Sequence, residues 1–312
     1  MKKTIAIIQN TETEIGSTVR VVHECDQIIT HQQSVGDIRF IALANGQTYL
    51  YTDGKWDAGI EYKSGAPVAL QVVGEIGAIL FNNHTIFFGE HRFISTFPLM
   101  PKLEKTSDAI FFMDDRNNLW QWKLGERQPT TLKQFTRESA QFWICNNQIF
   151  VARDKGLYKC AMNSDLELSL IGHFENDIIE VLPLDGKELL VGRDFLASTK
   201  SDDFRIFPDQ TIKCIAINGR IIVGLQRSIE VINPTTLKTQ ETFASSWNKA
   251  IIPISHNQIV TLTPGGMLQL SSLETGKSTP LLESVQSIQL TSSNTIIAVS
   301  ETKLYEIKLK FS

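Results

Sequence analysis

Short apolar runs of four to seven residues, rich in β-branched and aromatic side chains, recur along the whole chain. Gly, Asn, Asp and Pro separate these runs, and apolar positions spaced at the helical period are nearly absent. Runs of this length and composition, bounded by turn-forming residues, are typical of β-strands. The pattern therefore predicts an all-β protein.

From the middle of the chain onward the runs come in pairs that predict hairpins. The six pairs are 110–113 with 119–122, 149–152 with 157–160, 189–192 with 195–198, 221–224 with 229–232, 259–262 with 268–270, and 296–299 with 304–307. The first residues of successive pairs lie 39, 40, 32, 38 and 37 residues apart. A repeat near 40 residues that is built from strands is typical of a propeller blade.

Each interval between hairpins has room for two more strands, as at 203–207 and 212–217, so each unit holds four. Four-stranded units that stack around a common axis form a β-propeller. The first 108 residues hold candidate strands for about two further units, and the run 19–22 is one of these strands. We therefore predict one propeller domain over residues 1–312, with seven or eight blades, and we favour eight.

The two ends of the repeat predict how the ring closes. The chain stops at 308–312, directly after the third strand of its last unit, and 5–8 is a spare strand at the N-terminus. Pairing an N-terminal strand into the last blade would remove a sheet edge. The alternative is that the N-terminal strand is a frayed tail.

One unit, 170–194, resembles a WD40 repeat. It opens on Gly172-His173, continues through two apolar strands joined by an Asp-Gly turn, and ends with the turn residue Asp194. The stretches 233–238 and 271–277 resemble the family's turn between third and fourth strands, although none of these three stretches carries the terminal Trp-Asp pair and Gly-His does not recur. The chain is thus similar to a degenerate member of the WD40 family.

The resemblance implies a structural role for His173 and Asp194, which in the family form a buried, hydrogen-bonded pair. It also implies a non-catalytic scaffold that binds partner proteins in a multiprotein assembly.

Composition and charge narrow the class of protein further. The net charge is −4, which argues against binding nucleic acid through bulk positive charge. No apolar stretch approaches the length of a membrane span, and the N-terminal apolar run is too short for a signal peptide. Four isolated cysteines indicate free thiols in a reducing compartment, so we expect a cytoplasmic or nuclear protein.

The sequence contains no motif typical of a catalytic or metal site. Its six histidines show no metal-ligand spacing, and there is no phosphate-binding glycine loop, nucleophile elbow or kinase motif. We therefore predict no catalytic residues, no metal and no cofactor. A hydrolase-type enzyme with a pocket on the propeller axis remains an alternative.

An arginine recurs in the turn inside successive hairpins. The four positions are Arg116, Arg153, Arg193 and Arg227, and Lys303 takes this place in the last unit. Equivalent turns of a propeller share one face, so these side chains are predicted to form an arc of positive charge. Arginine suits carboxylates and phosphates, which indicates an acidic or phosphorylated partner segment. The alternative is that each arginine pairs with an acid of its own blade: Asp115, Asp154 or Asp194.

Two further positions are candidate partner contacts. Trp56 lies in the Gly- and Asp-rich stretch 53–59, which predicts an exposed loop tryptophan that could anchor an interface. The segment 98–105 is apolar, contains two prolines and interrupts the repeat.

Overall fold

A computed structural model describes residues 11–12, 17–135, 141–153, 155–162, 168–174, 177–184, 186–199, 204–217, 220–244, 248–255, 258–292 and 294–309. These residues form 33 strands, and no helix occurs among them. The strands make eight antiparallel sheets, each the blade of a propeller, so the all-β prediction is confirmed.

Two strands precede the first complete blade, and four consecutive strands make each of blades 1 to 4. The leading strands are β1 (Thr11–Glu12) and β2 (Ser17–Glu24). Blade 1 is β3 (Ile29–Val35), β4 (Ile38–Leu43), β5 (Gln47–Thr52) and β6 (Lys55–Glu61). Blade 2 is β7 (Pro67–Val73), β8 (Ile76–Phe81), β9 (Thr85–Phe88) and β10 (His91–Ile94). Blade 3 is β11 (Glu104–Lys105), β12 (Ala109–Met113), β13 (Asn118–Lys123) and β14 (Thr130–Gln134). Blade 4 is β15 (Gln141–Cys145), β16 (Gln148–Arg153), β17 (Gly156–Ala161) and β18 (Ser169–His173).

The second half of the chain repeats this order. Blade 5 is β19 (Ile178–Leu184), β20 (Lys187–Gly192), β21 (Phe195–Ser198) and β22 (Phe204–Ile206). Blade 6 is β23 (Thr211–Ile217), β24 (Arg220–Leu225), β25 (Ser228–Ile232) and β26 (Thr239–Ala244). Blade 7 is β27 (Ala250–Pro253), β28 (Gln258–Leu262), β29 (Leu268–Ser272) and β30 (Ser278–Leu282). Blade 8 begins with β31 (Ser287–Ser292), β32 (Thr295–Ser300) and β33 (Lys303–Leu309).

The first strand of every blade lies at the centre of the ring. Each of these inner strands contacts the inner strand of the next blade, and β31 of blade 8 contacts β3 of blade 1. The circle of contacts is therefore closed, and the favoured count of eight blades is confirmed.

An N-terminal strand completes blade 8, as predicted. Strand β2 pairs with β33 from Ser17↔Leu309 to Glu24↔Lys303, and β1 pairs with the outer side of β2. The closing strand is thus β2, which contains the run 19–22 that the sequence pattern counted among the strands of the first two blades. The predicted closing run, 5–8, lies outside the described residues.

The predicted hairpins are the second and third strands of blades 3 to 8. The pattern missed β6, because a strand rich in Gly, Asp and Lys looks like a loop. Its hairpin turn is Asp53-Gly54, where both residues have positive φ (50° and 80°). A two-residue Asp-Gly turn of this kind matches the twist of the strands it joins.

The hydrophobic core lies between neighbouring blades. Phe112 and Trp122 of blade 3, both fully buried, pack with Leu80 and Ile86 of blade 2 in one cluster. Successive side chains of a strand point to opposite faces of its sheet, so each blade buries apolar residues against both of its neighbours. A blade therefore cannot form its core alone, and the ring stabilises all eight together.

Candidate interaction face

The turns between second and third strands all lie on the same side of the propeller. Every blade is an antiparallel meander entered at its inner strand, so the second and third strands are joined at the end where the chain enters. We call this side the turn face. It comprises these turns together with the loops that lead into the inner strands.

The four arginines occupy the turn face of four consecutive blades. Arg116 lies in the β12–β13 turn of blade 3, Arg153 ends β16 of blade 4, and Arg193 and Arg227 lie in the corresponding turns of blades 5 and 6. Lys303 begins β33 of blade 8, where its ammonium lies 3.7 Å from the Glu24 carboxylate. The arginines therefore span half of the ring.

A buried carboxylate holds the turn that carries Arg116. Asp114 is fully buried, and its Oδ1 accepts hydrogen bonds from the backbone N–H groups of Arg116 (3.0 Å) and Asn118 (2.9 Å). Its Oδ2 accepts from the Asn118 amide (2.8 Å) and the Trp120 indole (3.2 Å). The turn is fixed from within, and the exposed Arg116 guanidinium lies 4.7 Å from the centre of the Phe97 ring.

Arg153 is also held over an aromatic ring. Its guanidinium lies 4.6 Å from the centre of the Tyr158 ring, on the strand that follows the turn. Gly156 lies beneath that ring, because a Cβ there would come within 2.8 Å of it. A guanidinium stacked on a ring keeps its charge and its hydrogen-bond donors available to a ligand.

The other two arginines are exposed. Arg193 lies 3.7 Å from the carboxylate of Asp177, which precedes β19, and both side chains are more than half exposed. Exposed ion pairs of this kind contribute little to stability, so an acidic ligand can replace Asp177 as the partner of Arg193. Arg227 is exposed and forms no ion pair or hydrogen bond with any described residue.

The alternative in which each arginine pairs with an acid of its own blade stays untested. Among the described residues, aromatic rings lie against Arg116 and Arg153, and Arg193 forms its ion pair with Asp177, directly before the inner strand of its own blade. Asp154 lies outside the described residues. The sequence pattern located the arginines but missed the rings, since only Tyr158 lies close enough in sequence to its arginine to give a signal.

Trp56 is not an exposed loop residue, and this expectation is wrong. It belongs to β6 and is half-buried, with its ring stacked 4.2 Å from the His23 ring and tilted 5.2 Å from that of Tyr51. Because β6 belongs to blade 1 and His23 to the closing strand β2, the stack joins the first blade to the last. A role as a partner contact stays untested.

His173 and Asp194 lie on neighbouring blades. His173 ends β18, the outer strand of blade 4, and is exposed, so the buried position that the WD40 resemblance implies for it is wrong. Asp194 is half-buried in the β20–β21 turn of blade 5. A structural role for the two residues stays a prediction.

The proline-containing segment 98–105 packs into the ring. Leu99 and Leu103 are buried in the cluster between blades 2 and 3. The Lys102 ammonium lies 2.9 Å from the Glu104 carboxylate and 4.7 Å from the centre of the Trp143 ring of blade 4. Leu99 and Leu103 therefore stabilise blade contacts and are not displayed to a partner.

The four cysteine thiols are buried or half-buried. All four cysteines are free, and burial raises the pKa of the Cys25 thiol to about 12 and that of Cys145 to about 11. Among the described residues, no three His, Cys, Asp or Glu side chains are grouped so that they could hold a metal ion. None of the described residues forms a helix long and apolar enough to cross a membrane.

Comparison of the sequence with protein-family models and with curated proteins gives no match. Solved structures do match, at low sequence identity. The C-terminal WD40 domain of Sif2 is similar with a TM-score of 0.66 and 10% identity, over 94% of this chain and 99% of that one. The fold is that of a WD40-like propeller.

Two further structures agree over almost the whole chain. Sqt1 of Saccharomyces cerevisiae gives a TM-score of 0.69 with 8% identity, over 92% of this chain and 99% of that one. The computationally designed protein Ika8 gives a TM-score of 0.69 with 12% identity, over 93% and 98%. At these identities the likeness establishes the WD40-like architecture only.

Proposed function

We propose that this WD40-like propeller is a non-catalytic scaffold that binds partner proteins of a multiprotein assembly through its turn face. The observation that carries the proposal is the run of four arginines on consecutive blades, Arg116, Arg153, Arg193 and Arg227. Two of them are stacked on aromatic rings and one has no described partner. Rigid blades fix their spacing, so little conformational entropy is lost when a ligand binds.

The chemistry of these side chains points to an acidic or phosphorylated partner segment. Guanidinium groups bind carboxylates and phosphates through paired hydrogen bonds, and a row of them raises the local positive potential on a protein whose net charge is −4. The proposed location is the cytoplasm or nucleus, where free thiols such as the four cysteines persist.

Charge reversal tests the proposal. The double variant Arg153→Glu with Arg193→Glu should lose proteins that co-purify with the tagged wild-type chain at near-native expression, as measured by quantitative mass spectrometry. Partners bound to the wild-type chain should dissociate as the salt concentration rises, because salt screens exposed charges. Both residues lie at the surface, so the melting temperature should change little.

The matched control reverses two charges on the opposite side of the ring. Lys238 and Lys277 are exposed in turns between third and fourth strands, so Lys238→Glu with Lys277→Glu makes the same change in net charge. The control should keep every partner. Equal recovery of partners by both variants would show that the turn-face arginines do not bind them.

A further inference from the structure

A cavity of about 340 Å³ opens in the wall of the central channel, on the inner strands of blades 6, 7 and 8. Its wall includes Ile215 of β23, Ile252 and Pro253 of β27, and Leu290 of β31. A volume of this size is typical of small-ligand sites.

The channel wall is mainly apolar at blades 6 to 8 and carries polar side chains at blades 1 and 2. Ile215, Ile252 and Leu290 are each half-buried, so part of each faces the channel. The inner strands of blades 1 and 2 carry Gln33 and Gln71 at half-buried positions instead. An apolar ligand in the channel would therefore bury more of its apolar surface against the cavity side, where its binding is more favourable.

The rim of the cavity carries an unbalanced positive charge. Lys213 donates hydrogen bonds to both carboxylate oxygens of Glu180, each at 2.9 Å, so this pair is neutral. Lys249 is exposed, and its ammonium donates to the backbone carbonyl of Gln286 at 2.7 Å. No acidic side chain among the described residues pairs with Lys249. One positive charge therefore stands beside an apolar cavity.

We propose that the cavity binds a small ligand with an apolar body and one carboxylate group. The apolar body lies against Ile215, Ile252 and Leu290, and the carboxylate accepts a charge-assisted hydrogen bond from Lys249 Nζ. An ammonium has three donors, so it can bind the carboxylate while it keeps its bond to Gln286. The site is separate from the arginines of the turn face, and a result on one leaves the other standing.

Three probes with the same eight-carbon chain test the site by isothermal titration calorimetry on the full chain: sodium octanoate, 1-octanol and octylammonium chloride. Octanoate should bind at one site, and about tenfold or more tightly than octanol, because only octanoate pairs with Lys249. Octylammonium should bind more weakly than octanol. Equal binding of octanoate and octanol, or no binding of octanoate, would overturn the proposal.

Two variants locate the site. Lys249→Gln should weaken octanoate binding about tenfold and leave octanol binding unchanged. Lys277, an exposed lysine of the same blade, lies on the opposite side of the ring, so the control Lys277→Gln should change the binding of neither probe. Ala250→Leu places a larger side chain in the cavity wall and should weaken octanoate and octanol alike. Since Lys249 is exposed, Lys249→Gln should fold as the wild type does. Unchanged octanoate affinity in that variant would show that the ligand binds elsewhere.

Discussion

A single buried polar side chain fixes the turn from which Arg116 projects. Asp114 accepts four hydrogen bonds through its fully buried carboxylate. The sequence could indicate that an aspartate favours this turn, since Asp commonly bonds the backbone two residues on. It could not indicate that the Trp120 indole completes the network, because that contact depends on how β13 lies beside the turn.

Asp114→Ala should lower the free energy of unfolding by about 3 kcal/mol, because it leaves buried backbone and side-chain donors without an acceptor. Chemical denaturation with urea measures the change. The neighbouring Asp115→Ala is the control: Asp115 is exposed, and its loss should cost well under 1 kcal/mol. Equal losses for the two variants would contradict the role of the buried carboxylate.

His23 should make stability depend on pH. Burial lowers the pKa of His23 below its usual 6.5, so the unfolded chain binds the proton more tightly than the folded chain. Stability is therefore full above about pH 6.5 and falls as the pH drops below that value toward the folded-state pKa. His31, whose pKa burial also lowers, acts in the same direction.

The His23→Gln variant should show a smaller fall in melting temperature between pH 7.5 and pH 5.5 than the wild type. Calorimetry at both pH values measures it, and His173→Gln, at an exposed position, should retain the wild-type fall. An identical pH dependence in the two variants would show that His23 does not contribute.

The elements show what a strand pattern can and cannot reveal. Alternating or continuous apolar runs located the second and third strands of six blades, because the second strands are buried on both faces and the third strands are buried at least in part. Strand β6 escaped notice because it is the outer strand of its blade and mostly exposed. Strand β2 was recognised but placed with the wrong blades, since a run of apolar residues carries no information about which distant strand it pairs with.

An ion cluster joins strands β33 and β2 of blade 8 to blade 1. Glu306 of β33 is buried and bonds the guanidinium of Arg39, on β4 of blade 1, while Arg20 of β2 lies 2.6 Å from its other oxygen. Arg39 and Glu306 are charged residues within apolar runs of their strands, and this pattern in the sequence could have indicated a buried ion pair. The pattern could not show that the two residues meet.

Glu306→Gln should destabilise the ring by about 3 kcal/mol, because it leaves the buried Arg39 charge without its carboxylate. Urea denaturation measures the loss, and Glu301→Gln, at an exposed turn position beside the same strand, should have little effect. A variant at 306 as stable as the wild type would contradict the role of the cluster.

At the scale of the whole molecule, the repeat predicted seven or eight blades, with eight favoured, and a shared face for the arginines, since both follow from period and topology. The repeat could not predict the cavity beside Lys249, because the apolar side chains of three inner strands form it only after the ring closes. The proposed partner chemistry of the turn face and the proposed ligand chemistry of the channel thus both depend on one closed ring of eight blades.

A disulfide across the closure tests that ring most directly. Thr18 of β2 lies opposite Lys308 of β33, and neither residue is buried. The variant Thr18→Cys with Lys308→Cys should form a disulfide on mild oxidation, seen as one cross-linked peptide by mass spectrometry. Thr18→Cys with Lys303→Cys should form none, because Lys303 lies opposite Glu24 at the far end of β2. Cross-linking of the second variant but not the first would contradict the closed ring.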